Sequence, residues 1–306
     1  MNSLSEKNKT HCGYIAIIGR PNVGKSTLLN NILEKKISIT SAKPQTTRHQ
    51  ILGIKTIENS QYIFVDTPGI HQMQTKILNR YMNKAATSII EDVDVVVFMV
   101  EELKWKPDDS FVLEKIQQIN SPVLLVVNKI DRIPEKEKLL PYLKELSQKL
   151  NFVDVIPISA EKGINVDALL KSIGRWLPES PFMFSQQQIT DRSERFLIAE
   201  IIREKLTRIL AQELPYETTV EIEALEKGKS KNNHDLTTIH AIIWVDRQGQ
   251  KPIILGSKGE RIKKVGTLAR GDIANLLETK IFLHLWVKVK QGWSDSEKAL
   301  RSLGYE

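Results

Sequence analysis

Apolar residues along the first half of the chain fall into two alternating spacings. Residues 14–18, 62–65, 93–100, 123–127 and 155–158 are short, nearly unbroken apolar runs. Residues 25–33, 110–119, 136–150 and 166–176 lie between or after them and repeat apolar positions every three or four residues. Runs of the first kind predict buried strands, and those of the second predict amphipathic helices. Strands alternating with helices imply a mostly parallel sheet, here of six strands, covered on both faces. Residues 50–57 and 61–65 are joined only by Glu58, Asn59 and Ser60, which predicts one antiparallel pair at the sheet edge.

The pattern breaks at residues 177–188, LPESPFMFSQQQ, where two prolines and a glutamine run predict a linker. Beyond it the rhythm changes. A helix capped by Asp191 or Ser193 is expected to about Gln212. Strands follow at 217–225 and 237–246 around a polar loop at 226–235, then a third short strand at 252–255. A helix at 260–278 and a strand at 281–290 complete an α+β half. The expected organisation is an N-terminal tail (1–12), a first domain (13–178), a linker (179–190) and a second domain with its tail (191–306).

Composition changes this picture little. The chain has 306 residues, 41% hydrophobic and 26% charged, which excludes a largely disordered or collagen-like polymer. One cysteine, Cys12, excludes a disulfide framework and a cysteine-rich zinc site, and fits a reducing compartment. Residues 1–11 are polar, so no signal peptide is expected, and no apolar run approaches the ~20 residues of a membrane span. A soluble, cytoplasmic protein is expected. The net charge is +7. Its placement is informative: between Lys251 and Arg270 six basic residues face one acid, Glu260, for a local +5.

Candidate chemistry sits where strands end. Gly19-Arg20-Pro21-Asn22-Val23-Gly24-Lys25-Ser26 has the GxxxxGK[ST] spacing, after a strand and opening a helix. Such a loop turns N–H groups toward phosphates, and the helix N-terminus adds partial positive charge. Gly19, Asn22, Val23, Gly24, Lys25, Ser26 and Thr27 are therefore the candidate phosphate ligands. Lys25 would reach the β- and γ-phosphates and Ser26 would ligate Mg²⁺. Asp66-Thr67-Pro68-Gly69 follows a second strand. Asp66 is placed to hold Mg²⁺, and the Gly69 N–H to sense the γ-phosphate. Asn128-Lys129-Ile130-Asp131 follows a third strand. The Asp131 carboxylate can accept from guanine N1–H and its 2-amine, groups that adenine lacks, so the site selects GTP over ATP. The Lys129 stem can lie along the purine. Ser159-Ala160-Glu161-Lys162 follows a fourth strand, where backbone N–H groups could meet guanine O6. The polar stretch 38–48 ends Gln45-Thr46-Thr47-Arg48 and has the character of a switch loop, with Thr47, in preference to Thr46, completing the Mg²⁺ shell. Lys25, Thr47, Asp66 and Gly69 are the expected catalytic set. Ile70 stands where many GTPases carry a water-orienting glutamine, and it cannot serve that role.

In the second half, Gly256-Ser257-Lys258-Gly259 opens the expected helix and is followed by Arg261, Lys263 and Lys264. A GxxG loop with basic neighbours clamps about four nucleotides of single-stranded backbone in the RNA-binding KH fold. The order helix, strand, strand, GxxG, helix, strand suits its type II arrangement. Trp293, Leu300 and Tyr305 in the tail are either core staples or base-stacking platforms, with staples favoured for the first two.

Across both halves the chain resembles the Era family of bacterial GTPases, within the translation-factor-related GTPases. The resemblance is carried by GRPNVGKSTLLN from Gly19, PQTTRHQILGI from Pro44, DTPGI from Asp66, NKID from Asn128 and ISAEKG from Ile158. In the second half it is carried by ITDRSERF from Ile189, REKL from Arg203, ELPYETTVEIE from Glu213 and LWVKVKQGWSDSEKALRSLGY from Leu285. It implies a P-loop GTPase domain followed by a type II KH domain. It also implies GTP hydrolysis that controls binding near the 3′ end of 16S rRNA during maturation of the 30S ribosomal subunit. An apolar residue at Ile70 agrees with the family. In related potassium-activated GTPases an asparagine at the position of Asn22 helps bind K⁺, whereas the residue's other reading is a turn former. Peripheral membrane contact is attributed to the family, and a monomer is expected. The rival functions are a membrane-associated signalling GTPase without an RNA role and a GTP-dependent RNA-modifying enzyme, for which no modification domain or cofactor motif is visible.

Overall fold

The computed structural model describes residues 9–40, 48–67, 92–210, 214–229, 235–293, 296 and 299. The described residues form two compact units, one within residues 9–38, 48–67 and 92–191, the other holding Ile39, Thr40 and residues from Arg192 onward.

In the first unit, β1 (His11–Ile18), β2 (Ile51–Ile57), β3 (Ser60–Asp66), β4 (Val95–Glu101), β5 (Val123–Asn128) and β6 (Asp154–Pro157) form one sheet in the order β2-β3-β1-β4-β5-β6. Every pairing is parallel except β2 with β3, the expected edge pair. The central strands read VVVFMV and VLLVV, buried on both faces, as strands covered by helices must be. The helices are α1 (Lys25–Leu33), α2 (Pro107–Ile116), α3 (Leu139–Ser147) and α4 (Val166–Gly174). One face of the sheet packs Phe98, Val100, Leu125 and Val127 against Val112 and Ile116 of α2 and Leu146 of α3.

Two boundaries differ from the periodicity reading. Helix α2 starts at Pro107 rather than at residue 110, because proline suits the first helical position and the Asp109 carboxylate accepts the Lys106 N–H at 2.9 Å. Residues 136–138 form a separate 3₁₀ turn ahead of α3. The expected linker is strapped to the first unit. Pro178 O accepts the Cys12 N–H, Gln61 binds Met183 and Phe184, and Ile189 O accepts the Ile54 N–H.

The second unit contains α5 (Glu194–Ile209), β7 (Thr218–Lys229), β8 (Asp235–Val245), α6 (Gln250–Leu255), α7 (Glu260–Leu277) and β9 (Lys280–Val289). Its sheet runs β7-β8-β9, with β7 antiparallel and β9 parallel to β8. Ser193 caps α5 by accepting the Phe196 N–H at 3.3 Å. Residues 226–229, read as loop, continue β7 as a solvent-exposed ladder with residues 235–238. The larger correction is at residues 252–255, expected to be a strand and found in helix α6. The Gln250 side chain accepts the N–H groups of Asp246 and Arg247, ending the β8 direction and closing the turn into the helix. Pro252 then lies in the first helical turn, where a missing N–H carries no penalty. Trp293 is fully buried, with its indole N–H on Glu217 O at 3.3 Å, so it is a staple. Leu300 and Tyr305 lie outside the described residues.

Candidate nucleotide site and GxxG loop

In the first unit the phosphate loop joins β1 to α1, Asp66 ends β3, Asn128 ends β5, and Ser159 follows β6. All four therefore meet at the carboxyl edge of the parallel strands, where open α/β sheets bind ligands. Asp66 sits beside Ile17 in the β1–β3 ladder, and Asn128 beside Glu101 in the β4–β5 ladder.

The loop is tightly held. Gly24 has φ 108°, and a Cβ there would lie 2.2 Å from Asn128 Nδ2, so only glycine fits. Lys25 is buried, with Nζ donating to Gly19 O at 2.9 Å and Arg20 O at 3.0 Å. Burial pushes its ammonium down to about 8, against the pull of Asp66. Val23 packs its side chain in the core and offers its carbonyl to Asn128 Nδ2 at 2.8 Å. Asn22 has φ 67°, a left-handed conformation that asparagine tolerates better than most residues, and this supports its turn role.

Asp66 is fully buried. Its Oδ2 accepts from Ser26 Oγ at 3.0 Å and Ser38 Oγ at 2.6 Å, while Oδ1 is buried without a hydrogen-bond partner among the described residues. Burial raises the carboxyl above its ordinary value despite both hydroxyls and Lys25. A hard oxygen set with one orphaned carboxylate oxygen beside a serine hydroxyl suits Mg²⁺, which takes few protein ligands and keeps water and phosphate for the rest. Ser38 is a partner that spacing did not single out. Asn30 on α1 fixes it, accepting the N–H groups of Ile37 and Ser38 at 3.0 Å each and donating to Ser38 O at 2.8 Å. Thr47 and Gly69 lie outside the described residues.

At the base end, Asn128 acts as a brace. Its Nδ2 holds Val23 O, and its Oδ1 accepts the Ala160 N–H at 2.9 Å, tying three loops together. Lys129, at φ 63°, sends Nζ to Asn22 O at 2.7 Å and to the Glu101 carboxylate. The Ser159 hydroxyl bonds Asp131 and holds its carboxyl below the ordinary value, so the acceptor stays ionised. Glu161 turns its side chain outward to Arg132 at 3.0 Å, which leaves its backbone as the part that can face a ligand. Thr27 lies on α1, one residue past Ser26.

The sequence reading missed a buried charge cluster behind these loops. Arg20 Nη2 meets Glu101 at 2.5 Å and Nε meets Asp109 at 3.1 Å, and Glu101 also binds Lys129. Arg20 occupies an unconstrained position of GxxxxGK[ST], so the motif gave no signal. An acid ending one strand and another opening the next helix were the available clue.

In the second unit, Gly256 ends α6 and Gly259 caps α7. Gly256 has φ 73°, and a Cβ there would lie 2.7 Å from Arg261 Cβ. Ser257, Lys258, Lys263 and Lys264 are exposed, whereas the Arg261 guanidinium is anchored on Ile253 O. The tight turn therefore presents backbone and lysines, with Arg261 bracing it.

Both units resemble known proteins. The sequence profile of the 50S ribosome-binding GTPases matches residues 14–129, and that of the KH domain matches residues 213–294. The chain is 54% identical over 303 residues to GTPase Era of Pseudomonas putida KT2440, covering 99% of both chains. It is 53% identical over 302 residues to GTPase Era of Yersinia pestis, covering 99% of this chain and 98% of that one. A crystal structure of Era in complex with MgGDPNP and nucleotides 1506–1542 of 16S ribosomal RNA superposes with a TM-score of 0.91 at 40% identity, covering 97% of this chain and 99% of that one. A tyrosine-to-alanine variant of Aquifex aeolicus Era bound to GDP·AlF₄⁻ also gives 0.91, at 41% identity and the same coverage.

Proposed function

The chain belongs to the Era family of GTPases, and from that premise we propose a GTP-hydrolysing switch that binds 16S rRNA near its 3′ end and assists assembly of the 30S ribosomal subunit. The observation that carries this reading is the pairing of two sites in one chain. One is a carboxyl-edge site whose loops are braced by Asn128, and the other is a separate KH unit with an exposed GxxG turn. Residues 13–178 are taken as the GTP-binding domain, 179–190 as the strap between domains, and 191–306 as the KH domain with its tail.

In this reading the phosphate-loop N–H groups from Gly19 to Thr27 cradle the phosphates. Lys25 leaves its two loop carbonyls to reach the β- and γ-oxygens, where phosphate charge restores its own. Ser26, Asp66 and Thr47 hold Mg²⁺, which supplies charge neutralisation across the β- and γ-phosphates. The Gly69 N–H reads the γ-phosphate. Asp131 selects guanine, with the Lys129 stem along the base and the backbone of Ser159, Ala160 and Glu161 toward O6. Lys258, Lys263 and Lys264 contact RNA phosphates around the backbone of Gly256, Ser257 and Gly259, with Arg261 bracing the turn. Binding of GTP and of RNA favour the same state, and by linkage each strengthens the other equally.

No glutamine follows Gly69, so water activation needs another group. A K⁺ ion held by Asn22 near the α- and γ-phosphates would neutralise developing charge. Turnover should then be faster in K⁺ than in Na⁺, and equal rates at matched ionic strength would remove K⁺ from the mechanism. Among the described residues no helix is long and apolar enough to cross a membrane. A monomer in the cytoplasm, with any contact at the inner membrane peripheral, completes the reading.

The test is GTP turnover with and without RNA copying the 3′ end of 16S rRNA. Stimulation by that RNA and not by a scrambled one ties hydrolysis to RNA. Absence of any RNA binding would leave a signalling GTPase, and a covalently altered RNA product would point to a modifying enzyme.

A further inference from the structure

The sheet of the second unit has one face in the core and one in solvent. Ile239, Ala241, Ile243 and Val245 of β8 and Ile281 and Val287 of β9 point inward. The alternate positions point outward, and a water-facing side of a sheet is ordinarily polar. Here it carries rings. His240 pairs with His284 across the ladder, and Ile242 pairs with Trp286. The His240 and His284 rings stack at 4.8 Å and 13°, and His240 and Trp286 at 5.3 Å and 9°. Phe282 meets His284 edge-on at 4.6 Å. Phe282 is 54% exposed and Trp286 is 41% exposed. Cross-strand packing accounts for the inner ring contacts. It does not account for a large phenyl and an indole left open at both ends of the row.

Charge and topology identify what fits there. Lys288 and Lys290 carry their ammonium groups 6.0 and 5.8 Å from the Trp244 ring centre, at the C-terminal end of the row. Because β8 and β9 are parallel, the crossover helix α7 must begin at that same end. The GxxG loop and the Lys288–Lys290 pair therefore share one end of the sheet. The acids on this face, Glu221, Glu223 and Glu226, belong to β7; Glu221 accepts the Trp244 N–H at 2.7 Å and Glu223 faces Lys288 at 3.8 Å. They disfavour phosphate over β7 and leave the β9 edge as the path for an anionic chain.

We propose that Phe282, His284 and Trp286 form a base-stacking platform for single-stranded RNA that continues from the GxxG loop around the β9 edge. The proposal rests on the reading of that loop as an RNA clamp. Bases stack on aromatic rings with little sequence preference, while lysines at the margin hold the backbone.

The experiment uses the full chain with Mg²⁺ and a non-hydrolysable GTP analogue. Fluorescence anisotropy follows a 4-nucleotide and a 12-nucleotide piece of the 16S rRNA 3′ end. Trp286→Ala should weaken the 12-mer by about tenfold and leave the 4-mer within about twofold, because stacking is lost only where RNA reaches the platform. Trp286→Phe, which keeps a ring, should retain most 12-mer binding. Phe282→Ser, at the most exposed ring, gives an independent reading if Trp286→Ala lowers the melting temperature. Lys258→Ala should weaken both RNAs. If Lys258→Ala acts and neither ring variant does, the platform is refuted while the clamp stands. If none of the three acts, both readings fall. If the ring variants bind RNA normally but lose affinity for intact 30S subunits, the face docks a protein and the proposal is overturned.

Discussion

Replacing Glu101 by glutamine tests whether the buried cluster behind the site holds the loops in place. Glu101 is 8% exposed and lies among three cations: Arg20 from the loop after β1, Lys129 from the loop after β5, and the more distant Lys106 at 3.8 Å. Burial opposes its charge, but hydrogen bonds from Lys129 and Arg20 outweigh burial and hold its carboxyl below the ordinary value. Removing one partner of a buried ion pair typically costs about 3–5 kcal/mol. Arg20 retains Asp109, and Lys129 is partly open to water, so the expected loss is nearer 2 kcal/mol. That corresponds to a fall of about 4–8 °C in Tm for a unit of this size. Because both loops lean on this carboxylate, GDP dissociation should accelerate about tenfold, the kinetic equivalent of about 1.4 kcal/mol. The acid limb adds a sign test. A depressed carboxylate contributes stability that is present above its unfolded value near 4.5 and lost as pH falls through the folded value. The Glu101→Gln variant should therefore lose less stability than the parent below about pH 4.5. Glu102→Gln, which removes an exposed pair with Lys104, is the control and should leave Tm and the GDP off-rate unchanged. An unchanged Tm and GDP off-rate in Glu101→Gln would refute the brace.

Asp131→Asn should cut GTP affinity by at least about 10²-fold and gain xanthine nucleotide, since an amide N–H matches the carbonyl at xanthine C2; competition against labelled GDP checks both. Trp293→Ala should destabilise the second unit by about 3–5 kcal/mol, because a fully buried indole and its bond to Glu217 O are lost; urea unfolding would show the effect, and a midpoint unchanged from the parent would return Trp293 to the surface. Arg208→Ala should leave GDP affinity unaltered but reduce the factor by which GTP strengthens RNA binding; titration of RNA in both nucleotide states measures that factor, and an unchanged ratio would refute the role.

The first unit was legible because its elements carry redundant signals. VVVFMV is too apolar for a half-exposed strand and too short for a helix, and each nucleotide motif follows such a run. The second unit was harder. Residues 252–255 have the apolar, partly β-branched look of a strand, and what makes them helical is Gln250 reaching back to two backbone N–H groups, a contact that no periodicity records. Ser38 and Arg20 escaped for a related reason. Their partners lie 28 and 81 or more residues away, so their roles exist only once the sheet has aligned β1, β3 and β4. The outward rings of β9 were visible as FLHLW, but alternation alone does not tell which face meets solvent.

The ends of residues 38–40 explain why Arg208 is the position to test. Ser38 donates to the same Asp66 oxygen that Ser26 approaches, so its place depends on what Asp66 binds. Two residues on, Thr40 belongs to the second unit's packing. Arg208 donates to Thr40 O at 2.9 Å and to its hydroxyl at 3.0 Å, and Arg208 is itself held by the fully buried Glu204 at 2.9 Å. Two residues of extended chain span at most about 7 Å, too short to absorb a shift at one end without passing it to the other. Coupling requires an element whose position both ligands bias. On the proposed reading, metal and phosphate at Asp66 would redistribute its hydrogen bonds and pull on Ser38, and the Arg208 contact would deliver that pull to α5. Cutting the contact at Arg208 leaves both sites intact and weakens the connection, since the Thr40 N–H to Glu204 at 3.5 Å remains between Thr40 and α5. The expected signature is therefore a reduced coupling, out of a total typically worth about 1–3 kcal/mol, with neither ligand's intrinsic affinity changed.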